Sequence, residues 1–130
     1  MTSIRAAKTK GSNLEYDTCY SLQKKYPRTY LTKQLGFQQQ QDVRNDDEKF
    51  VIECKRLKGI SWNQALGFLF KLMEVAPKDY RCYLIFQSNR QPALVMYQLG
   101  LNPICIEQFE DVFQAPFLKH ASTRVKRVVQ

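Results

Sequence analysis

The chain has 130 residues, and twenty Lys and Arg against twelve Asp and Glu leave a formal charge of +8 and a pI near 9.4. That length fits one domain, and 44% hydrophobic with 25% charged residues excludes wholesale disorder and fibrous structure. The basic excess makes polyanions the first partners to consider.

Residues 1–10 read as a short, basic, mobile leader. Gly11-Ser12-Asn13 then offers a helix start, because Ser12 or Asn13 can cap free N–H groups. Cys19, Leu22 and Tyr26 follow at helical spacing, and Pro27 ends the helix. Four residues before Cys19 the same stripe meets Glu15. A carboxylate there either sits near water and complements the helix dipole, or serves a function that repays its burial.

Residues 28–32 have strand character, and a polar loop begins at Lys33. Asp42-Val43-Arg44 and Phe50–Lys55 flank the turn-forming Asn45-Asp46-Asp47-Glu48, which predicts a hairpin. An apolar helix spans residues 62–76 before Pro77, and residues 81–87 form a buried strand. Ala93–Leu99, closed by Gly100, is expected to be a short helix. Residues 104–106 make a brief strand and residues 107–113 a final helix before Pro116. The order α-β-β-β-α-β-α-β-α predicts an α/β fold with a mixed β-sheet flanked by helices.

Charge is unevenly placed along this order. Residues 1–36 carry seven basic and two acidic side chains, residues 37–116 nine and ten, and residues 117–130 four and none. Such ends are either solvated tails or an electrostatic footprint for a phosphate backbone. Cys19, Cys54, Cys82 and Cys105 are far apart in sequence, which argues against a zinc cluster and for reduced, buried thiols in an intracellular, cytoplasmic protein. No apolar stretch approaches the ~20 residues of a membrane helix, and the N-terminus lacks an apolar signal core.

The chemical signal lies at Asp42, Glu53 and Lys55. Residues two apart on a strand share a face, so Glu53 and Lys55 project together while Cys54 turns to the opposite layer. The hairpin returns Asp42 towards that face, in a register that the acid-rich turn leaves open. Two converging carboxylates can hold a hard divalent cation such as Mg²⁺. An ammonium beside them can orient water and offset the charge of a phosphate. Together these groups suit metal-assisted phosphodiester hydrolysis. A plain strand-edge Glu–Lys pair is the alternative.

An aspartate, a short hairpin and an acid-x-lysine on the next strand, preceded by a helical glutamate, resemble the PD-(D/E)xK nuclease superfamily. The pattern falls on Glu15, Asp42, Glu53 and Lys55, with the lead-in Phe50-Val51-Ile52 and a following helix that carries Gln64. Lys10-Gly11-Ser12-Asn13-Leu14-Glu15 is similar to the start of the archaeal-type Holliday junction resolvases. The likeness covers roughly residues 8–90. Gln41 stands where the superfamily has proline, and Tyr16 follows Glu15 where the resolvases usually carry a basic residue.

The resemblance implies a restriction-endonuclease-like core and a Mg²⁺-dependent DNA endonuclease in which Mn²⁺ can substitute. Asp42 and Glu53 would be direct ligands, the Cys54 carbonyl a further one, Glu15 a ligand through water, and Lys55 the group acting on the nucleophile. DNA contacts are expected from Arg5, Lys8, Lys10 and Ser12 ahead of Glu15, and from Arg56, Lys58 and Gln64 beyond Lys55. Gln64 serves equally well as a helix cap. Branched DNA, above all the four-way junction, is the implied substrate, cut by a homodimer whose seam is the apolar helix with Trp62, Phe68, Leu69, Leu72 and Met73. A restriction- or repair-type nuclease and a non-catalytic nucleic-acid-binding module are the alternatives. His120 shows no partner spacing and reads as a tail residue.

Overall fold

A computed structural model describes residues 4–35, 41–56, 58–59, 61–88 and 90–120, with residues 4–12 and 34–35 described by their backbone alone. The first element, α1, runs from Ile4 to Gln23. It begins well ahead of the expected cap at Ser12 or Asn13, so Ser12 lies inside the helix. Arg5, Ala6, Ala7, Lys8 and Lys10 are good helix formers, and the one glycine at position 11 costs only about 1 kcal/mol. Local propensity therefore carries the helix across the glycine.

A short strand, β1 (Tyr30–Leu31), leads into a 3₁₀ turn at Thr32–Leu35. The hairpin follows as predicted: β2 (Val43–Asn45) pairs antiparallel with β3 (Phe50–Arg56). Its register is Val43 opposite Ile52 and Asn45 opposite Phe50. The acid-rich turn fixes that register. The Glu48 N–H donates to Oδ1 of Asn45 at 2.7 Å, and Lys49 takes a left-handed φ of 55° to close the turn. Asp46 accepts from Tyr30, Arg44 and Tyr80, so the turn is also tied to β1 and to the segment before the next strand.

A crossover through α2 (Trp62–Val75) places β4 (Arg81–Gln87) parallel to β3, with Glu53 opposite Leu84. Ser61 caps α2 by accepting from the Gln64 N–H, and the Gln64 side chain accepts in return from the Ser61 N–H. This reciprocal capping box gives Gln64 a structural task at the helix start.

The segment expected to form a helix at residues 93–99 is instead a strand, β5 (Leu94–Tyr97), antiparallel to β4. Both of its faces are apolar, so its hydrophobic pattern cannot distinguish a buried strand from a short helix. Val95 joins one core while Met96 joins the other, which only a strand allows. Gly100, at φ 59°, turns the chain into β6 (Cys105–Gln108), and α3 (Phe109–Phe113) follows.

Among the described residues the six strands lie in the order of the chain, β1 to β6, with β3 and β4 the parallel pair. The fold is thus α/β, a mixed sheet flanked by helices. Phe50, Ile52, Cys54, Tyr83, Ile85 and Val95 form one core with α1 and α3, while Leu84, Phe86 and Met96 pack under Ala65 and Leu69 of α2. The cysteines are free thiols; Cys19 and Cys54 are buried, but Cys82 and Cys105 are only half-buried because they lie near strand ends. No described helix is long and apolar enough to cross a membrane.

After α3 the chain turns back over α1. Leu118 N–H donates to Oγ of Ser21 at 2.7 Å, and Lys25 Nζ donates to the Phe113 carbonyl at 2.8 Å. His120, expected as a tail residue, is a clamp instead. Its backbone N–H donates to Oδ1 of the buried Asp17 at 3.1 Å, its Nδ1 meets the same oxygen, and its ring lies 5.5 Å from that of Tyr16.

Candidate active site

Strand alternation decides which groups meet. Glu53 and Lys55 share the face of β3 that looks towards α2, and Nζ of Lys55 stands 3.4 Å from Oε1 of Glu53. Cys54 points the other way, its thiol 3.7 Å from the hydroxyl of Thr18 on α1. Asp42 lies one residue ahead of β2, so the hairpin register carries it to the level of Glu53. Its backbone N–H donates to the Ile52 carbonyl at 2.8 Å, and its Oδ2 accepts the Cys54 N–H at 2.7 Å. The aspartate is thereby fixed at both its main chain and its side chain.

Glu15 reaches the same place from α1. Its carboxylate is one-fifth exposed and forms a 3.2 Å ion pair with Nζ of Lys33, in the 3₁₀ turn. The ammonium of Lys33 also stands 4.5 Å from the centre of the Tyr16 ring. Positive charge next to Glu15 thus comes from another element rather than from the residue that follows it. On the opposite side, Nζ of Lys55 lies 4.6 Å from the centre of the Phe68 ring on α2. Each lysine is held between one carboxylate and one aromatic face, so its position is narrower than an ion pair alone would give.

The crowding of carboxylates appears in their protonation. Burial, with the charges of Glu53 and Glu15 nearby, pushes the Asp42 carboxyl from 3.8 up to about 9, although the Cys54 N–H opposes the shift. Burial also raises Glu53, against the pull of Lys55. With its carboxyl raised so far, Asp42 holds a proton beside Glu53 at neutral pH. Oε2 of Glu53 is buried and meets no N–H or O–H donor among the described residues. Burial, aided by the Asp42 charge, raises the Cys54 thiol well above its ordinary value, so it is no nucleophile.

Two adjacent carboxyl groups, one with a buried oxygen lacking a donor, fit a hard divalent cation. Mg²⁺ is commonly bound through one or two carboxylates, with water and substrate phosphate completing its shell. Among the described residues, no group of three or more His, Cys, Asp or Glu is gathered to hold a metal. Glu15 is turned to Lys33, which matches a ligand acting through water better than a direct one.

Other expected residues lie around this centre or outside it. Arg56 ends β3 with a buried Nε that has no hydrogen-bond partner among the described residues, and Lys58 is exposed in the following loop. Gln64 is occupied in the capping box. Arg5, Lys8, Lys10 and Ser12 belong to the first turns of α1, and their side chains lie outside the described residues. Of the apolar residues assigned to a dimer seam, Leu69 and Leu72 are buried, whereas Trp62 and Met73 are exposed, as is Phe70.

Comparison of the chain with protein-family models, with curated proteins and with solved structures returned no match. The chemistry of the site therefore rests on its own geometry. Lys33, Tyr16 and Phe68 belong to that geometry and were not assigned to it from the sequence. Lys33 follows a strand in a polar loop and Phe68 sits in an apolar helix, so nothing local marks either one.

Proposed function

We propose that the chain is a metal-dependent DNA endonuclease of the PD-(D/E)xK type that cuts four-way junctions as a homodimer. The observation that carries this reading is the cluster of Asp42, Glu53 and Lys55, with Asp42 held by the Cys54 N–H. The order of parts also favours it: a glutamate on the first helix, an aspartate before a short hairpin, and Glu-x-Lys on the second hairpin strand.

Asp42 and Glu53 would hold Mg²⁺, with the Cys54 carbonyl as a further donor and Glu15 contributing through water. Bound there, the ion supplies Lewis acidity to the scissile phosphate and lowers the pKa of water. Lys55, restrained by Glu53 and Phe68, orients the attacking water and offsets charge that builds on the phosphate. Asp42 must surrender its proton before the pair carries its full negative charge. DNA cutting by a single pair of carboxylates and one lysine needs a second site for the opposite strand, which a two-fold dimer provides. Trp62, Phe70 and Met73, exposed along α2, offer an apolar surface for the second copy.

The test is incubation with a labelled four-way junction, a linear duplex and a flap, each with Mg²⁺ or EDTA. Preferential, Mg²⁺-dependent cutting of the junction is expected. Equal cutting of junction and duplex would favour a restriction- or repair-type nuclease, and binding without cutting would favour a non-catalytic module.

A further inference from the structure

The carboxylates of Glu15 and Glu53 disfavour an approaching phosphate, so a nucleic acid is better received where cations stand at the rim. Lys55, one-third exposed, is held between Glu53 and Phe68. Lys33 is placed differently. Its side chain is 44% exposed, and its ammonium bridges Glu15 and the face of Tyr16.

We propose that Lys33 binds a DNA backbone phosphate beside the scissile bond, exchanging Glu15 for that phosphate while Tyr16 keeps its ammonium in place. The inference rests on the nuclease reading and adds a substrate-binding residue to its site.

Three features support the exchange. First, the backbone at Lys33 is anchored to the centre of the site, because the N–H of Thr32 donates to the Asp42 carbonyl at 3.1 Å and the Thr32 hydroxyl bonds the Gln41 carbonyl. The side chain can move while its root stays fixed. Second, a partly exposed ion pair is a modest hold, and a phosphate offers several oxygens to one ammonium in exchange. Third, the platform under the ammonium is braced: the Tyr16 ring packs, tilted, against His120, which Asp17 grips. When the charge of Glu15 is drawn towards a cation or its water shell, Lys33 is left over the ring, facing outward.

The experiment measures binding of a four-way junction and of duplex DNA in EDTA across a salt titration, for the wild type, Lys33→Gln, Lys33→Arg, Glu15→Gln and the Glu15→Gln/Lys33→Gln double variant. A single phosphate contact contributes about one unit to the slope of log affinity against log salt. Lys33→Gln should weaken binding several-fold and reduce the slope by about one, and Lys33→Arg should restore it. In the Glu15→Gln background the ion pair is already gone, so Lys33→Gln there reads the phosphate contact alone. A fall of the slope by about one in that background supports the proposal. An unchanged slope there overturns it and leaves Lys33 as a counter-ion of Glu15. Cleavage of the same DNA by the wild type in Mg²⁺ separates the two readings. Intact cleavage with an unchanged slope sinks the role of Lys33 alone. No cleavage, together with a slope that falls, sinks the nuclease reading and keeps the phosphate contact.

Discussion

The backbone N–H of Cys54 donates to Oδ2 of Asp42 at 2.7 Å, so the aspartate ahead of β2 is pinned to the strand that carries Glu53 and Lys55. Cys54 faces the opposite layer with its side chain, yet its main chain positions the neighbouring acid. A substitution at Cys54 would therefore act on α1 packing through the thiol while leaving this contact in place.

Glu53 is the carboxylate whose loss separates chemistry from folding most cleanly. It is buried, and Oε2 has no donor among the described residues. Glu53→Gln keeps its size and removes its charge. Cleavage in Mg²⁺ should fall on the order of a thousandfold, comparable to removing a key electrostatic group in other active sites. DNA binding in EDTA should hold or tighten, because one repelling charge is gone. Single-turnover cleavage beside filter binding tests both, and retained cleavage removes Glu53 from the site.

The raised Asp42 carboxyl makes a signed prediction about stability. Its folded value of about 9 stands above its ordinary 3.8, because burial and the Glu53 and Glu15 charges disfavour ionisation. Between those values the folded protein holds a proton that the unfolded chain has released. The stability contributed by this group is complete below 3.8 and declines as pH rises towards about 9. Urea unfolding in EDTA should show the wild type losing stability from mildly acidic to mildly alkaline pH. Asp42→Asn cannot ionise and should flatten that dependence. Parallel curves for the two proteins would place the proton elsewhere.

The sequence revealed this cluster and concealed its surroundings for definite physical reasons. The two-residue period of a strand puts Glu53 and Lys55 together wherever the strand lies, and an Asn/Asp turn between β-formers brings Asp42 back to them. Both relations are local. The contacts of Lys33 with Glu15, of Lys55 with Phe68 and of His120 with Asp17 join separate elements, and no periodicity encodes them. The helix expected at residues 93–99 failed for a different reason. A strand buried on both faces, between β4 and β6, has no polar side to reveal its period.

Phe68 offers a test of how tightly Lys55 must be held. The ring lies 4.6 Å from Nζ, and such contacts contribute about 0.5–1 kcal/mol at exposed sites and more where water is partly excluded. Phe68→Leu preserves an apolar side chain on α2 and removes the π face. Cleavage should drop several-fold with DNA affinity unchanged. Lys55→Met should cost about 10²–10³-fold, the range for removing one group that stabilises transition-state charge. Equal losses from the two variants would mean that Phe68 does more than steady the lysine, and no loss from Phe68→Leu would mean that Glu53 alone positions it.

The His120 clamp predicts a different balance, in which stability suffers first. Asp17 is buried on α1 and accepts from both the ring and the main chain of His120, across a separation of 103 residues. His120→Ala removes the ring contact and the support behind Tyr16, leaving the main-chain bond as a partner for the carboxylate. The loss should be about 1–2 kcal/mol, read as a lower urea midpoint with an unchanged denaturant dependence. Because Tyr16 carries the ammonium of Lys33, the same variant should weaken DNA binding slightly, and less than Lys33→Gln does. Asp17→Asn keeps an oxygen for the main-chain N–H and should lose less stability than Asp17→Ala. If His120→Ala unfolds at the wild-type midpoint, residues 117–120 lie on α1 without holding it.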